Sequence, residues 1–108
     1  MSMPTASKFE VLNDGGFVCD IHAIYTDDQG MQKEAKNKKN FPIAQRRTMD
    51  LSQKCPDIQE GAHVQLKMWI AAGKDNTYAQ AYLFDPKGPT RKFKISGATL
   101  NNSIQCLE

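Results

Sequence analysis

The sequence predicts an all-β fold: a small single-domain antiparallel β-sandwich of about eight short strands, with a closed β-barrel as the alternative. Two observations carry this. Turn-forming clusters of Gly, Pro, Asn and Asp recur about every ten residues, and the runs between them alternate apolar with polar residues, the period of a half-buried strand and not of a helix. A third sets the scale: 108 residues suffice for one core and not for two. Residues 1–7 read as a flexible, Pro-containing leader and residues 8–108 as the sandwich domain.

Lys8–Leu12 is the first short strand, ending at Asn13-Asp14-Gly15-Gly16, a tight turn that predicts a hairpin to the next strand. Phe17–Tyr25 alternates Phe17, Cys19, Ile21, Ala23 and Tyr25 on one face against Val18, Asp20, His22 and Ile24 on the other. After a turn at Thr26–Gly30, Met31–Lys36 is a weak polar strand leading to a solvated tip, Asn37-Lys38-Lys39-Asn40. The returning segment runs over Phe41–Ile43 and Gln45–Leu51, where Pro42 marks an edge or a bend because it has no amide hydrogen to give a ladder. Ser52–Gly61 is a polar connection in which Ile58 is positioned to plug one end of the core.

Ala62–Ala71 is the second clear strand, with Val64, Leu66, Met68 and Ile70 pointing one way and His63, Gln65, Lys67 and Trp69 the other. Burying those four at roughly 1.5–3 kcal/mol each outweighs the helix propensity of Ala71-Ala72, which is worth under about 1 kcal/mol per residue. The Gly73–Asn76 turn predicts a hairpin into Thr77–Asp85, where Tyr78, Gln80, Tyr82 and Phe84 share a face. Pro86–Pro89 turns the chain into Thr90–Ser96, with Phe93 and Ile95 inward, and Asn102–Leu107 closes the fold.

Charge is locally uneven. The net charge is +2, yet Lys33, Lys36, Lys38, Lys39, Arg46 and Arg47 face only Glu34 within residues 33–47. This basic hairpin, through Lys36, Lys38, Lys39, Arg46 and Arg47, suits anionic lipid headgroups or another anionic surface. The competing reading is a solvated edge that lysine keeps from pairing with a second sheet. Nucleic acid is not expected, because only Phe41 interleaves the basic run and single-strand binders need aromatic platforms.

The other functional pointer is Trp69, the one tryptophan. An aromatic ring beside polar donors suits a sugar or headgroup, and Trp69, Tyr78, Tyr82, Lys67, Gln65, Lys74, Asp75 and Asn76 form the candidate ligand face. The competing reading covers Trp69 with a neighbouring strand.

No cofactor motif is present, and the two histidines, His22 and His63, lack the spacing of a metal pair. Cofactor and metal are therefore not expected, and neither is an enzyme, since Cys55 with His22 or His63 is the best nucleophile and base on offer. Three cysteines without a paired short spacing argue against a disulfide scaffold. The first seven residues lack the apolar core of a signal peptide, so the expectation is a chain that is cytoplasmic or released without a conventional signal. The leading reading is a lectin-like, non-enzymatic recognition module for a carbohydrate or cell-surface ligand. The alternative is a membrane-active, toxin-like or self-assembling structural protein that meets anionic surfaces through the basic hairpin and other copies through a strand edge.

Overall fold

Among the described residues, nine strands and one helical turn form from the alternating segments: β1 (Thr5–Ala6), β2 (Lys8–Gly15), β3 (Cys19–Thr26), β4 (Gln32–Lys36), β5 (Arg46–Asp50), α1 (Leu51–Lys54), β6 (His63–Ile70), β7 (Asn76–Phe84), β8 (Thr90–Ala98) and β9 (Asn101–Cys106). The computed structural model describes residues 3–107. Two sheets face one another, a five-stranded sheet in the order β1-β7-β6-β3-β4 and a four-stranded sheet in the order β5-β2-β8-β9. The architecture is the sandwich, not the barrel, because the outer strands of the two sheets do not join into one ladder.

The inward residues meet between the layers. β6 buries Val64, Leu66, Met68 and Ile70, and β3 buries Cys19, Ile21, Ala23 and Tyr25. Opposite them the four-stranded sheet contributes Phe9, Val11, Met49, Phe93 and Ile95. Phe9, Tyr78, Tyr82 and Phe93 form an edge-to-face aromatic cluster with centroids 5.1–6.2 Å apart. Ile58 packs against the core as its position predicts.

The strands pair differently from the expectation in three places. First, the sheets are mixed: β2 runs parallel to β8, and β1 parallel to β7. Alternation reports which face is buried but not the direction of the partner. Residues 5–6, assigned to the leader, thus form a strand, and Ala6 is fully buried.

Second, Asn13-Asp14-Gly15 continues β2 instead of ending it, and β2 and β3 lie in different sheets. Asn13 is buried, and its amide Nδ2 donates to Phe17 O at 2.7 Å and Phe41 O at 3.1 Å while its Oδ1 accepts from Gly15 N at 2.9 Å. A turn-forming side chain has become a buried tie between chain segments.

Third, the basic run is not a hairpin. β4 pairs with β3 in one sheet and β5 with β2 in the other, so residues 37–45 cross between the layers. Phe41 and Asn37, set within the basic run, are buried and pull the chain over the seam. The tip expected to be solvated is therefore only partly so: Lys38, Lys39 and Asn40 are exposed, Asn37 is not. Both β4 and β5 are edge strands, as Pro42 and the charge suggest.

Within the Ser52–Gly61 connection, α1 starts at Asp50, whose carboxylate accepts from Ser52 N at 3.1 Å and caps the turn.

Candidate functional site

The outward face of β4, β3 and β6 is built by cross-strand pairing. Asp20 on β3 lies opposite Trp69 on β6, and His22 lies between Lys67 on β6 and Lys36 on β4. A period-two strand must place Asp20 and His22 on the same side, and here both are buried although they face away from the main core, 3% and 4% exposed. The crossover covers them.

His22 has a carboxylate on each ring nitrogen: Glu34 Oε2 at 2.8 Å from Nδ1 and Asp20 Oδ2 at 3.3 Å from Nε2. Burial works to lower the His22 pKa, but the bonds to Asp20 and Glu34 outweigh it and hold the imidazole above its ordinary value. Burial likewise works to raise the Asp20 pKa, and it is outweighed by the bonds from His22 and from the backbone amides of Lys39 and Lys38, so Asp20 lies below the usual carboxylate range. Those amides reach the carboxylate at 3.1 and 3.0 Å. Lys38 sits in the left-handed region at φ 59°, costly for a non-glycine residue by roughly 1–2 kcal/mol, and the Asp20 clamp offsets that cost.

Glu34 continues the chain of charges to Lys67 at 3.0 Å, and Lys67 lies 3.8 Å from Asp75. Over this network opens a cavity of about 590 Å³ lined by Asp20, His22, Lys36, Lys38, Asn40 and Trp69. Trp69 is half-buried, and Lys36, Lys38 and Asn40 are exposed. Among the described residues no carboxylate pairs with Lys36, Lys38 or Lys39.

The cavity joins one residue of the predicted ligand face to two of the predicted basic cluster, and separates the rest. Tyr78 and Tyr82 do not join Trp69, because they turn inward: Tyr82 is buried under the Arg91 guanidinium and both pack on Phe93. Gln65 is committed to a bulge between β6 and β7, donating to Tyr78 O at 2.7 Å and Ala79 O at 3.3 Å. Lys67 is held in ion pairs. Lys74 and Asn76 tie the β6–β7 connection to β8–β9, with Lys74 N donating to Thr99 O, Asn76 Nδ2 to Asn102 and Asn102 Nδ2 to Lys74 O, while Asp75 accepts from Ile70 N and closes the β6–β7 turn on itself.

Of the remaining basic residues, Lys39 is exposed beside the cavity, Arg46 lies 4.0 Å from Glu10, and Arg47 stacks over Phe41 at 5.7 Å. Asp20, His22 and Asn40 line the cavity but belong to neither predicted cluster. Their signal was the shared face of Asp20 and His22, which needed the β3–β4–β6 order to acquire meaning.

Several chain segments meet at one end of the sandwich. β2 and β8 end together at Gly15 and Gly97, β3 begins at Cys19 where β6 ends at Ile70, and the crossover packs on Cys19 through Phe41. Gly97 has φ 107°, and a Cβ there would come within 2.4 Å of Asn101 O, so glycine shapes this turn. Exposed on the same end are Val18 (39%), Ile43 (55%) and Leu100 (73%), three large apolar side chains in neighbouring loops.

Elsewhere, Asp27, Asp28 and Asp57 cluster closely enough to hold a cation, but Lys33 Nζ already reaches Asp27 at 3.1 Å and pairs with Asp57. Burial pushes the Cys55 thiol up to about 12, with Asp57 adding to the effect, so Cys55 is not a thiolate near neutrality.

No family model and no curated protein sequence matches this chain. Solved structures do. The fold is similar to part of pneumolysin of Streptococcus pneumoniae, with a TM-score of 0.51 and 16% identity over 93% of this chain and 23% of that one. A Gram-negative toxin matches with a TM-score of 0.51 and 14% identity over 94% of this chain and 22% of that one. The separately solved membrane-binding domain of pneumolysin aligns with a TM-score of 0.49 and 15% identity, over 94% of this chain and 96% of the domain. The chain thus spans under a quarter of the length of the whole toxins it matches, and the likeness is one of fold.

Proposed function

We propose that this β-domain, whose fold recurs within toxins, is a non-enzymatic docking module that attaches to anionic membrane surfaces by the end bearing Val18, Ile43 and Leu100. The observation that carries the reading is that Lys36, Lys38 and Lys39 have no carboxylate partner among the described residues, in a fold that also leaves Val18, Ile43 and Leu100 exposed. The two kinds of group suit different depths of one interface. A lysine near an anionic leaflet contributes about 1 kcal/mol, so three give marginal attachment. Each apolar side chain that enters the acyl boundary adds up to roughly 1.5–3 kcal/mol, and together the two terms support stable but reversible docking.

Co-sedimentation with phosphatidylserine-containing and phosphatidylcholine-only vesicles, at low and high salt, tests the reading. The domain should pellet with the anionic vesicles at low salt and much less at high salt, since charges are screened over about 10 Å at 0.1 M. Replacing Lys36, Lys38 and Lys39 together by Glu should weaken binding by at least about a hundredfold, the equivalent of three lost contacts. Failure to pellet with anionic vesicles at low salt would end the proposal.

Carbohydrate recognition is the second reading, favoured by the half-buried Trp69 at a sugar-sized cavity. It requires binding that survives high salt and responds to neutral sugars.

A further inference from the structure

We propose that the cavity beside Trp69 is a discrete site for a phosphorylated ring polyol, the chemistry shared by an inositol-phosphate headgroup and a free sugar phosphate. Lys36 and Lys38 hold the phosphate, and the Trp69 indole lies against the ring. The cavity, at about 590 Å³, falls within the range of small-ligand sites, and a six-membered ring with one or two phosphates fits that volume.

The lining selects the chemistry. Lys36 and Lys38 are cations with no carboxylate partner among the described residues, and they come from β4 and the crossover, on the opposite side of Asp20 from Trp69 in the sheet order. Asp20 offers sugar hydroxyls little, because it is buried and three of its roughly four acceptor positions are taken, Oδ2 by Lys38 N and His22 and Oδ1 by Lys39 N. A neutral sugar could accept hydrogen bonds from the two ammonium groups but would leave their charge uncompensated, and inorganic phosphate would leave Trp69 without a role. Asn40, exposed at the rim, supplies an amide that can donate and accept with ring hydroxyls.

Trp69 is the only tryptophan, so its emission reports on this site alone. Titration of the whole chain with inositol trisphosphate, glucose 6-phosphate, inorganic phosphate and myo-inositol should give a saturable change with a phosphate ester, at least about tenfold tighter than with either fragment. Lys36→Met and Lys38→Met should each weaken it about tenfold, as loss of a charged hydrogen bond does. Both side chains are exposed, and a circular dichroism spectrum identical to that of the parent certifies folding.

Preference for inositol trisphosphate, matched by tighter binding to phosphatidylinositol bisphosphate vesicles than to phosphatidylserine vesicles of equal charge, assigns the ligand to a lipid headgroup. Preference for glucose 6-phosphate assigns it to a soluble ester. No saturation by either ester, an equal response to myo-inositol, or unchanged affinity in both lysine variants overturns the site. Pocket binding is separable from bilayer docking: Ile43→Ser with Leu100→Ser should weaken pelleting by about tenfold or more and leave the titration intact. Pelleting with no titration sinks the pocket alone.

Discussion

His22 is the residue on which the outer face turns, because a neutral imidazole would set a lone pair against one of its two carboxylates. The pH dependence has a definite sign. His22 has its folded pKa raised, so its contribution to stability is fully present below the ordinary value of 6.5 and is lost as pH rises through the folded value. Asp20 and Glu34 have theirs lowered; their contributions are present above the ordinary values of 3.8 and 4.5 and are lost as pH falls through the folded ones. The network, which Lys36 and Lys67 flank across the sheet, should therefore be strongest between about pH 5 and 6.5. Urea denaturation across pH 3 to 9 on the parent and on His22→Gln should show this maximum flattened in the variant, which should also be about 2–3 kcal/mol less stable at pH 6 because Asp20 is left buried without its cation. An unchanged pH profile in the variant would remove His22 from the account. At this scale the sequence was read half correctly. The shared face of Asp20 and His22 follows from alternation, but their burial depends on a crossover that no local pattern announces. Asn13 shows the same limit: its turn chemistry is plain in Asn-Asp-Gly, whereas its use as a tie to Phe17 and Phe41 depends on a distant segment.

β3 and β6 were legible throughout, since four or more alternating apolar residues fix both the strand and its inward face. The segment from β4 to β5 was not. Its charge run looks like one solvated hairpin, yet burial of Ala35, Asn37 and Phe41 sends the two halves into different sheets. The separate aromatic and basic clusters became one site for the same reason. Trp69 and Lys36 are brought to one face only because β3 lies between β6 and β4, and strand order is a long-range property. The β6–β7 hairpin was expected, but its bulge reassigns Gln65 from a ligand contact to a clamp on the Tyr78 and Ala79 carbonyls. Gln65→Ala should cost about 1 kcal/mol in thermal or urea denaturation and leave vesicle binding unchanged; a binding defect without a stability change would restore Gln65 to the ligand face. Near the end of β8, Gly97→Ala should cost about 2 kcal/mol or more, because a left-handed φ and a close Asn101 carbonyl both oppose a Cβ. It should also weaken docking by misplacing Leu100.

On the whole molecule, the edges and the end have different tasks. The edge strands β4 and β5 carry Lys36, Arg46 and Arg47, charges of the kind that disfavour edge-to-edge pairing and that the proposed docking would use as a positive rim. The mixed pairing matters here, because running β2 parallel to β8 brings Gly15, Gly97 and the Leu100 turn to the same end as the crossover, and an all-antiparallel arrangement of the same strands would scatter them. The proposed docking by that end divides between charge and apolar insertion, and kinetics should separate the two. Long-range attraction acts on encounter, so replacing Lys36, Lys38 and Lys39 by Glu should slow association with immobilised phosphatidylserine vesicles and flatten its salt dependence. Apolar side chains act after contact, so Ile43→Ser with Leu100→Ser should leave association nearly unchanged and speed release by about tenfold or more, the equivalent of losing part of two buried side chains. Surface plasmon resonance on captured vesicles reads both rates. If the serine variant released at the parent rate, the exposed apolar end would not enter the bilayer, and the interaction would be electrostatic adsorption of a charged edge.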